Sequence, residues 1–360
     1  PSVPQLTQLS LWGNAIGDEG VKAIGRALLK GACPSLSSFL ADSSLSSSAS
    51  LLALEMPIEW EGKKSNSFIL AFHRLRCQGQ SRRFAAAKVL IAGPAAAGKT
   101  CLANAIVENT NSWRQHFYRR DQTDGMEVVR WERPTQDLDA VLLYDFGGQP
   151  VYKASHRLFM GGRAVFVVVW NPRAENDGDR KDYEEYARDV LDEQPSARIA
   201  FVSTHRDVPD LRYPGVQQMG ELLHQRFDDN FDSYDDVALT PPVVGAPDAL
   251  GGLRQLVLSK VMALPNIRLT MPQSFRALLE RLQQISWTGE KWWISHREFL
   301  QVAEACECHV LKQDHGNGYD MPGAALELFD QWGYVKVVKS AGRNDVVLDP
   351  SRLAEALALV

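Results

Sequence analysis

Gly93-Pro-Ala-Ala-Ala-Gly98-Lys99-Thr100 is the stretch that most narrows what this chain can fold into. It follows an apolar run, Lys88–Ala92, that reads as a strand, and it opens a helical pattern reaching about Glu108. A turn with glycine at both ends, set between a strand and a helix, lets backbone N–H groups point inward over a helix N-terminus. Such a cradle attracts an anion, above all a chain of phosphates. Gly93, Ala95, Ala96, Ala97, Gly98, Lys99, Thr100 and Cys101 would surround it. Lys99 would contact the β- and γ-phosphates, and Thr100 would ligate magnesium.

Two further motifs follow in order, each at the end of an apolar strand. Asp145-Phe-Gly-Gly148-Gln149 succeeds Val141–Tyr144. Asp145 is placed to hold the metal, the backbone of Gly148 to approach the γ-phosphate, and Gln149 to orient an attacking water. Thr204-His205-Arg-Asp207 succeeds Arg198–Ser203. A carboxylate at Asp207 can accept both N1–H and the exocyclic amino group of guanine, a pair of donors that adenine lacks. A fainter switch, Thr123-Asp-Gly125, precedes the strand Met126–Trp131, and Thr123 could reach the metal and the γ-phosphate. A base-contacting loop near Val244-Gly-Ala246 has position alone to support it. Together these imply a site for GTP or GDP with Mg2+, with Gln149 and Lys99 as the catalytic candidates. In open α/β sheets, ligands lie outside the carboxyl ends of the strands, where all three motifs fall.

Strands and helices alternate from 87 to 265, which predicts a doubly wound sheet with helices on both faces. Upstream, Pro4, Leu6, Leu9, Leu11 and Asn14 have leucine-rich-repeat spacing, and Pro34, Leu36 and Phe39 repeat it 30 residues on. Residues 1–60 therefore read as the C-terminal end of a repeat array that began earlier, its second copy dissolving into Ser43–Ser50. Residues 61–86 read as a connecting helix. From Lys63 to Lys88 the charges are all basic, which gives either a docking face or a solvated one. Residues 266–360 read as three helices, a hairpin turning at Ser340–Asn344, and a helix after Pro350, a winged-helix-like arrangement.

At this point the sequence resembles the Roco family. Asp145-Phe-Gly-Gly-Gln149 with Tyr152 and His156-Arg-Leu-Phe159, Thr123-Asp-Gly125 before a Trp-ended strand, and Thr-His-x-Asp look like its Ras-of-complex (ROC) domain. Ile294–Phe299, Leu328–Tyr334 and Val346–Pro350 resemble the N-terminal half of the COR module that follows ROC. The resemblance implies a Ras-like P-loop GTPase that acts as a slow, Mg2+-dependent switch in intracellular signalling. It also implies protein partners through the repeats and the COR region, and a homodimer of the full-length protein built by COR. Two departures bear on chemistry. His205 stands where a lysine usually lies along the base, and Pro150 pushes Gln149 towards an extended backbone.

Other features narrow the range of functions. A net charge of −5 gives no reason to expect nucleic-acid binding, and residues 272–360 carry 12 acidic against 9 basic residues. Five cysteines without repeated spacing suit a reducing cytoplasm. The longest apolar run, Ala164–Trp170, is too short to span a bilayer. Cys306-Glu-Cys308-His309 lacks a second ligand cluster, and Asp228–Asp236 lacks the glycine and glutamate of a calcium loop and reads as a solvated loop. No kinase signature is present. Two rival functions remain: an ATPase switch of immune-receptor type, and a scaffold that binds nucleotide with little hydrolysis.

Overall fold

The computed structural model describes residues 3–36, 38–41, 45, 47–57, 60–78, 81–108, 123–149, 152–171, 182–204, 216–236, 249–265, 267–289, 291–311, 318–340 and 343–358. The chain runs β1 (Gln8–Ser10), α1 (Asp18–Leu29), β2 (Ser38–Leu40), α2 (Ser48–Ala53), α3 (Asn66–Gln78), β3 (Arg82–Ala92) and α4 (Lys99–Val107). Next come β4 (Met126–Thr135), β5 (Leu138–Phe146), α5 (Lys153–Met160), β6 (Ala164–Trp170), α6 (Asp182–Glu193), β7 (Ile199–Ser203), α7 (Val216–Phe227) and β8 (Phe231–Asp236). Then follow α8 (Ala249–Ala263), β9 (Arg268–Met271), α9 (Gln273–Trp287), β10 (Trp293–Ile294), α10 (His296–Ala305), α11 (Met321–Trp332), β11 (Lys336–Ser340), β12 (Arg343–Val347) and α12 (Pro350–Ala358). Contacts gather these into two compact units. One comprises Pro1–Ala85, Pro265–Asp330 and Val337–Leu348; the other comprises Ala86–Leu264, Gln331–Lys336 and Asp349–Val360.

The second unit is built on strands in the order β4-β5-β3-β6-β7-β8. All neighbours are parallel except β4, which lies antiparallel to β5. Parallel strands covered on both faces lose the alternation of polar and apolar residues. Val165–Trp170 and Ile199–Ser203 are accordingly buried throughout. Lys88 is the exception inside β3: it is 3% exposed, and its Nζ donates to Phe159 O at 2.9 Å and to Gly161 O at 2.5 Å. A cation at the C-terminal carbonyls of α5 meets the negative end of that helix.

β8 corrects the reading of Asp228–Asp236 as a solvated loop. Tyr234 stacks on Trp170 at 5.5 Å, and its hydroxyl lies 3.0 Å from Ser203 Oγ. Asp232 is neutralised by Lys260 at 2.7 Å and Arg198 at 3.5 Å. A register shift between Ile199 and Ala200 breaks the period of two, which is why the pattern did not read as a strand.

In the first unit, β1 and β2 pair in parallel with Gln8 opposite Ser38, the 30-residue repeat made visible. Asn14 Nδ2 donates to Leu11 O at 3.0 Å, the turn bond expected of it. Leu36 and Phe39 are buried, whereas Leu6, Leu9 and Leu11 of the outer copy are only half-buried, because stacking covers that copy on one side. The serine-rich tail of the second copy still forms α2, with Leu51 and Leu54 buried.

The connecting helix α3 is not a uniformly solvated basic face. Phe68 and Phe72 close on Trp60 at 5.4 and 5.0 Å. Arg76 is 1% exposed, donates to Leu54 O at 2.6 Å and lies 3.0 Å from His73 Nδ1. Burial, then the charge of Arg76, holds His73 down at about 4, so its ring is neutral and accepts the bond. Helices α9, α10 and α11 accompany a sheet ordered β10-β12-β11, and Ser295 with Glu298 forms a capping box on α10.

Candidate nucleotide-binding site

The phosphate loop is shaped by positions where no side chain fits. At Gly93, φ is +149° and an added Cβ would lie 1.9 Å from Val169 O. Gly98 caps α4 at φ +83°, and Ala96 adopts the left-handed region at φ +59°. Non-glycine residues rarely accept that region, and such outliers cluster at ligand-binding sites. Lys99 is not solvent-facing as a loop lysine would be: it is 6% exposed, and its Nζ donates to Pro94 O at 2.7 Å. Burial pushes its pKa down to about 8, against the pull of Asp145. Cys101 is half-buried one residue beyond Thr100, and burial, then Asp145, raises its thiol. Ala97 is fully buried, and its carbonyl accepts from Thr204 Oγ1 at 2.7 Å.

Three oxygen-bearing side chains from separate motifs converge beside this loop. Thr100 Oγ1 lies 2.5 Å from Asp145 Oδ2 and 2.8 Å from Thr123 Oγ1, and Thr123 Oγ1 lies 3.2 Å from the same Oδ2. Two hydroxyls bring two protons to three oxygen–oxygen contacts, so one contact has none. Asp145 Oδ1 is buried and has no hydrogen-bond partner among the described residues. Burial, foremost, lifts the Asp145 carboxyl to about 6, while Thr100, Lys99 and Thr123 pull it down. An oxygen-rich, proton-poor cluster of this kind fits a hard divalent cation such as Mg2+.

The two switch segments are tied to each other. Gly125 O accepts from Gly147 N at 2.8 Å and lies 3.1 Å from His156 Nε2. Tyr152 donates its hydroxyl to Asp124 Oδ1 at 3.1 Å. A Cβ on Gly147 would meet Thr123 O at 2.6 Å, and one on Gly148 would meet Ala95 N at 2.3 Å. The second switch therefore seats directly on the phosphate loop. α12 adds to the same region, with Ser351 Oγ accepting from Val128 N at 3.1 Å.

Thr100, Thr123, Asp145 and Lys99 thus meet, and Gly148 lies against Ala95. Thr204 is fully buried and ties the end of β7 to the loop. His205 and Asp207, Pro150, and Val244–Ala246 lie outside the described residues. Arg157 is taken up by the carboxylates of α6, with Asp189 at 3.6 Å, Glu193 at 3.8 Å and Asp192 at 3.9 Å. Tyr186, whose hydroxyl donates to Gly148 O at 2.8 Å, was not visible as a site residue in the sequence. It sits in a charged helix with no motif around it. Arg254 was likewise missed: it donates to Ala105 O, Ile106 O and Glu108 O and closes the C-terminal end of α4. Among the described residues no three His, Cys, Asp or Glu side chains gather into a metal cluster. Burial pushes the Cys308 thiol up to about 12.

A phosphate-loop domain on a doubly wound sheet is the class that this fold and site define. Residues 88–207 match the family model described as "Ras of Complex, Roc, domain of DAPkinase". The chain therefore carries a Roc domain over these residues. Its relatives include the probable serine/threonine-protein kinase pats1 of Dictyostelium discoideum, 21% identical over 306 residues, or 76% of this chain and 9% of that protein. The cyclic GMP-binding protein C of the same organism is 26% identical over 163 residues, 45% of this chain and 6% of that protein. The chain spans less than a tenth of the length of these relatives. Among solved structures, Methanosarcina barkeri Roco2 RocCORdC bound to GDP has the same fold, with a TM-score of 0.57 and 16% identity over 78% of this chain and 77% of that one. No described helix is long and apolar enough to cross a membrane.

Proposed function

We propose that the chain binds GTP and GDP with Mg2+ and hydrolyses GTP slowly, as a Roco-type switch in cytoplasmic signalling. The observation that carries this reading is the convergence of Thr100, Thr123 and the orphaned Oδ1 of buried Asp145 beside the phosphate loop. A phosphate-binding loop kept only as structure has no need of a proton-poor oxygen cluster drawn from both switches. Thr100, Thr123 and Asp145 would hold Mg2+, which when bound neutralises charge on the β- and γ-phosphate oxygens. Lys99 would exchange Pro94 O for those oxygens. Gly148 would offer its N–H to the γ-phosphate, and Gln149 would orient the attacking water. Asp207 would select guanine. Arg157 is committed to the carboxylates of α6, so the basal rate should be on the order of 10⁻⁴ s⁻¹. The repeats and the COR region would engage protein partners, and COR would dimerise the full-length protein.

The test is calorimetric titration with GDP, GTP and ATP, joined to single-turnover hydrolysis of GTP and ATP side by side. Guanine nucleotides should bind and ATP should not, and Asp207→Asn should shift preference towards xanthine nucleotides. Equal handling of ATP and GTP would overturn the assignment.

A further inference from the structure

Gly148 is the point in the second switch with the least steric guidance of its own. Ala95 N and Cα leave no room for a Cβ, at 2.3 and 2.5 Å, so the position must be glycine. A glycine leaves the peptide that follows it free to rotate. That peptide is planar and carries the nitrogen of Gln149, so its orientation sets where the Gln149 backbone begins. Tyr186 Oη donates to its carbonyl at 2.8 Å. On the other side, Gln149 O accepts from Tyr152 N at 3.1 Å. Both peptides flanking Gln149 are therefore anchored, while the side chain between them remains half-exposed.

The donor is itself well held. Tyr186 is 6% exposed on α6, the helix packed on β6. One turn before it, Tyr183 lies 4.8 Å from Trp170 at the end of that strand. One turn after it, Asp189 faces Arg157 of α5. A buried phenol needs a hydrogen-bond partner, and this one takes a backbone carbonyl of the switch.

We propose that Tyr186 is a positioning residue for hydrolysis, fixing through the Gly148 carbonyl the backbone from which Gln149 reaches the water; this rests on the role given to Gln149 above. The alternative is a phenol that merely satisfies its own burial. The two differ in what happens when Gln149 is removed, so the experiment is a double-mutant cycle on the whole chain with Mg2+. Wild type, Tyr186→Phe, Gln149→Leu and the double variant are compared in single-turnover GTP hydrolysis, GDP affinity and thermal melting. Tyr186→Phe should slow hydrolysis roughly two- to tenfold, the worth of one neutral hydrogen bond. GDP affinity should hold, and in the Gln149→Leu background the substitution should change nothing. Equal rates for wild type and Tyr186→Phe, or the same fold-loss in both backgrounds, would overturn the proposal while leaving the GTPase reading intact. A wild-type chain that neither binds nor hydrolyses GTP brings down that reading itself, before any variant is compared.

Discussion

The phosphate loop and the two switches meet at one place but are held there by different means. The loop is held by backbone geometry: Gly98 at a left-handed helix cap, Lys99 folded back on Pro94 O, and Gly93 packed against Val169 O of β6. The switches are held by groups far away in sequence. His156 and Gly147 meet at Gly125 O, Tyr152 reaches Asp124, and Tyr186 reaches Gly148 from another helix. On the function proposed above, the part that binds phosphate in every state is the stiff one. A part that must differ between states is built from single hydrogen bonds, each worth about 1 kcal/mol and each open to change. Substitutions in the loop should therefore cost fold or binding, and substitutions in the switch clasps should cost rate and exchange.

The largest effect tests the loop's stiffness. Gly93→Ala puts a Cβ 1.9 Å from a backbone oxygen at φ +149°, where neither partner is a flexible side chain. It should destabilise the protein by about 3 kcal/mol or more, read in urea unfolding. A midpoint equal to that of wild type would mean that the loop can move, and the contrast with the switches would collapse. Lys99→Ala comes next. Its ammonium is buried and held down at about 8, so its removal should not cost the fold. With GDP, the substitution removes the charged hydrogen bond to the β-phosphate, roughly a 10- to 10²-fold loss of affinity. Tight GDP binding with an unaltered melt would refute the role of Lys99.

Asp145 joins the two regions, and pH separates its contributions. Its folded carboxyl titrates near 6, above the ordinary value of 3.8, chiefly because of burial. The folded state thus holds the proton more tightly than the unfolded one. The stability this gives is full below about 3.8 and is lost as pH rises through about 6. Mg2+ on the ionised carboxylate offsets that loss, so the rise in melting temperature on adding Mg2+ to the GDP-bound chain should be larger at pH 7.5 than at pH 5. Asp145→Asn should flatten the difference. An increment independent of pH in the wild type would remove Asp145 from the metal site.

The same contrast explains what the sequence disclosed. Gly93 to Thr100, the strand ends at Asp145 and Thr204, and the apolar run Ala164–Trp170 are local patterns, and each lies where its pattern put it. β8 was hidden in part because Asp232 is neutralised by Lys260 and Arg198, which come from other elements. Arg76 read as part of a basic face because nothing near it in sequence announces Leu54 O, its acceptor 22 residues away. Lys99 follows a glycine in a loop, a place that does not announce its burial, yet the loop wraps back over it. Tyr186 lies 38 residues from Gly148 in a helix that any solvated segment could resemble. Long-range hydrogen bonds leave no periodicity, so the contacts that fasten the segments around the loop were the part least legible.

The smallest effect sharpens the comparison most, because it touches only a clasp. His156 is 2% exposed, its ring lies 4.4 Å from that of Phe146, and its Nε2 faces Gly125 O at 3.1 Å. His156→Phe keeps a ring of similar shape against Phe146 and removes one donor. Gly125 O keeps the bond from Gly147 N, so no carbonyl is left wholly unpaired. The cost should be roughly 0.5–1.5 kcal/mol, a fall of a few degrees in melting temperature for a unit of this size. GDP affinity depends mainly on the phosphate loop and should change little at equilibrium. GDP release should quicken, because the first switch is then fastened to the second by one bond fewer. Stopped-flow displacement of a fluorescent GDP analogue reads that rate. If release and melting both stay at the wild-type values, the clasp at Gly125 is carried by Gly147 alone. If equilibrium affinity instead falls by an order of magnitude or more, the switches anchor nucleotide as strongly as the loop, and the division of labour argued here does not hold.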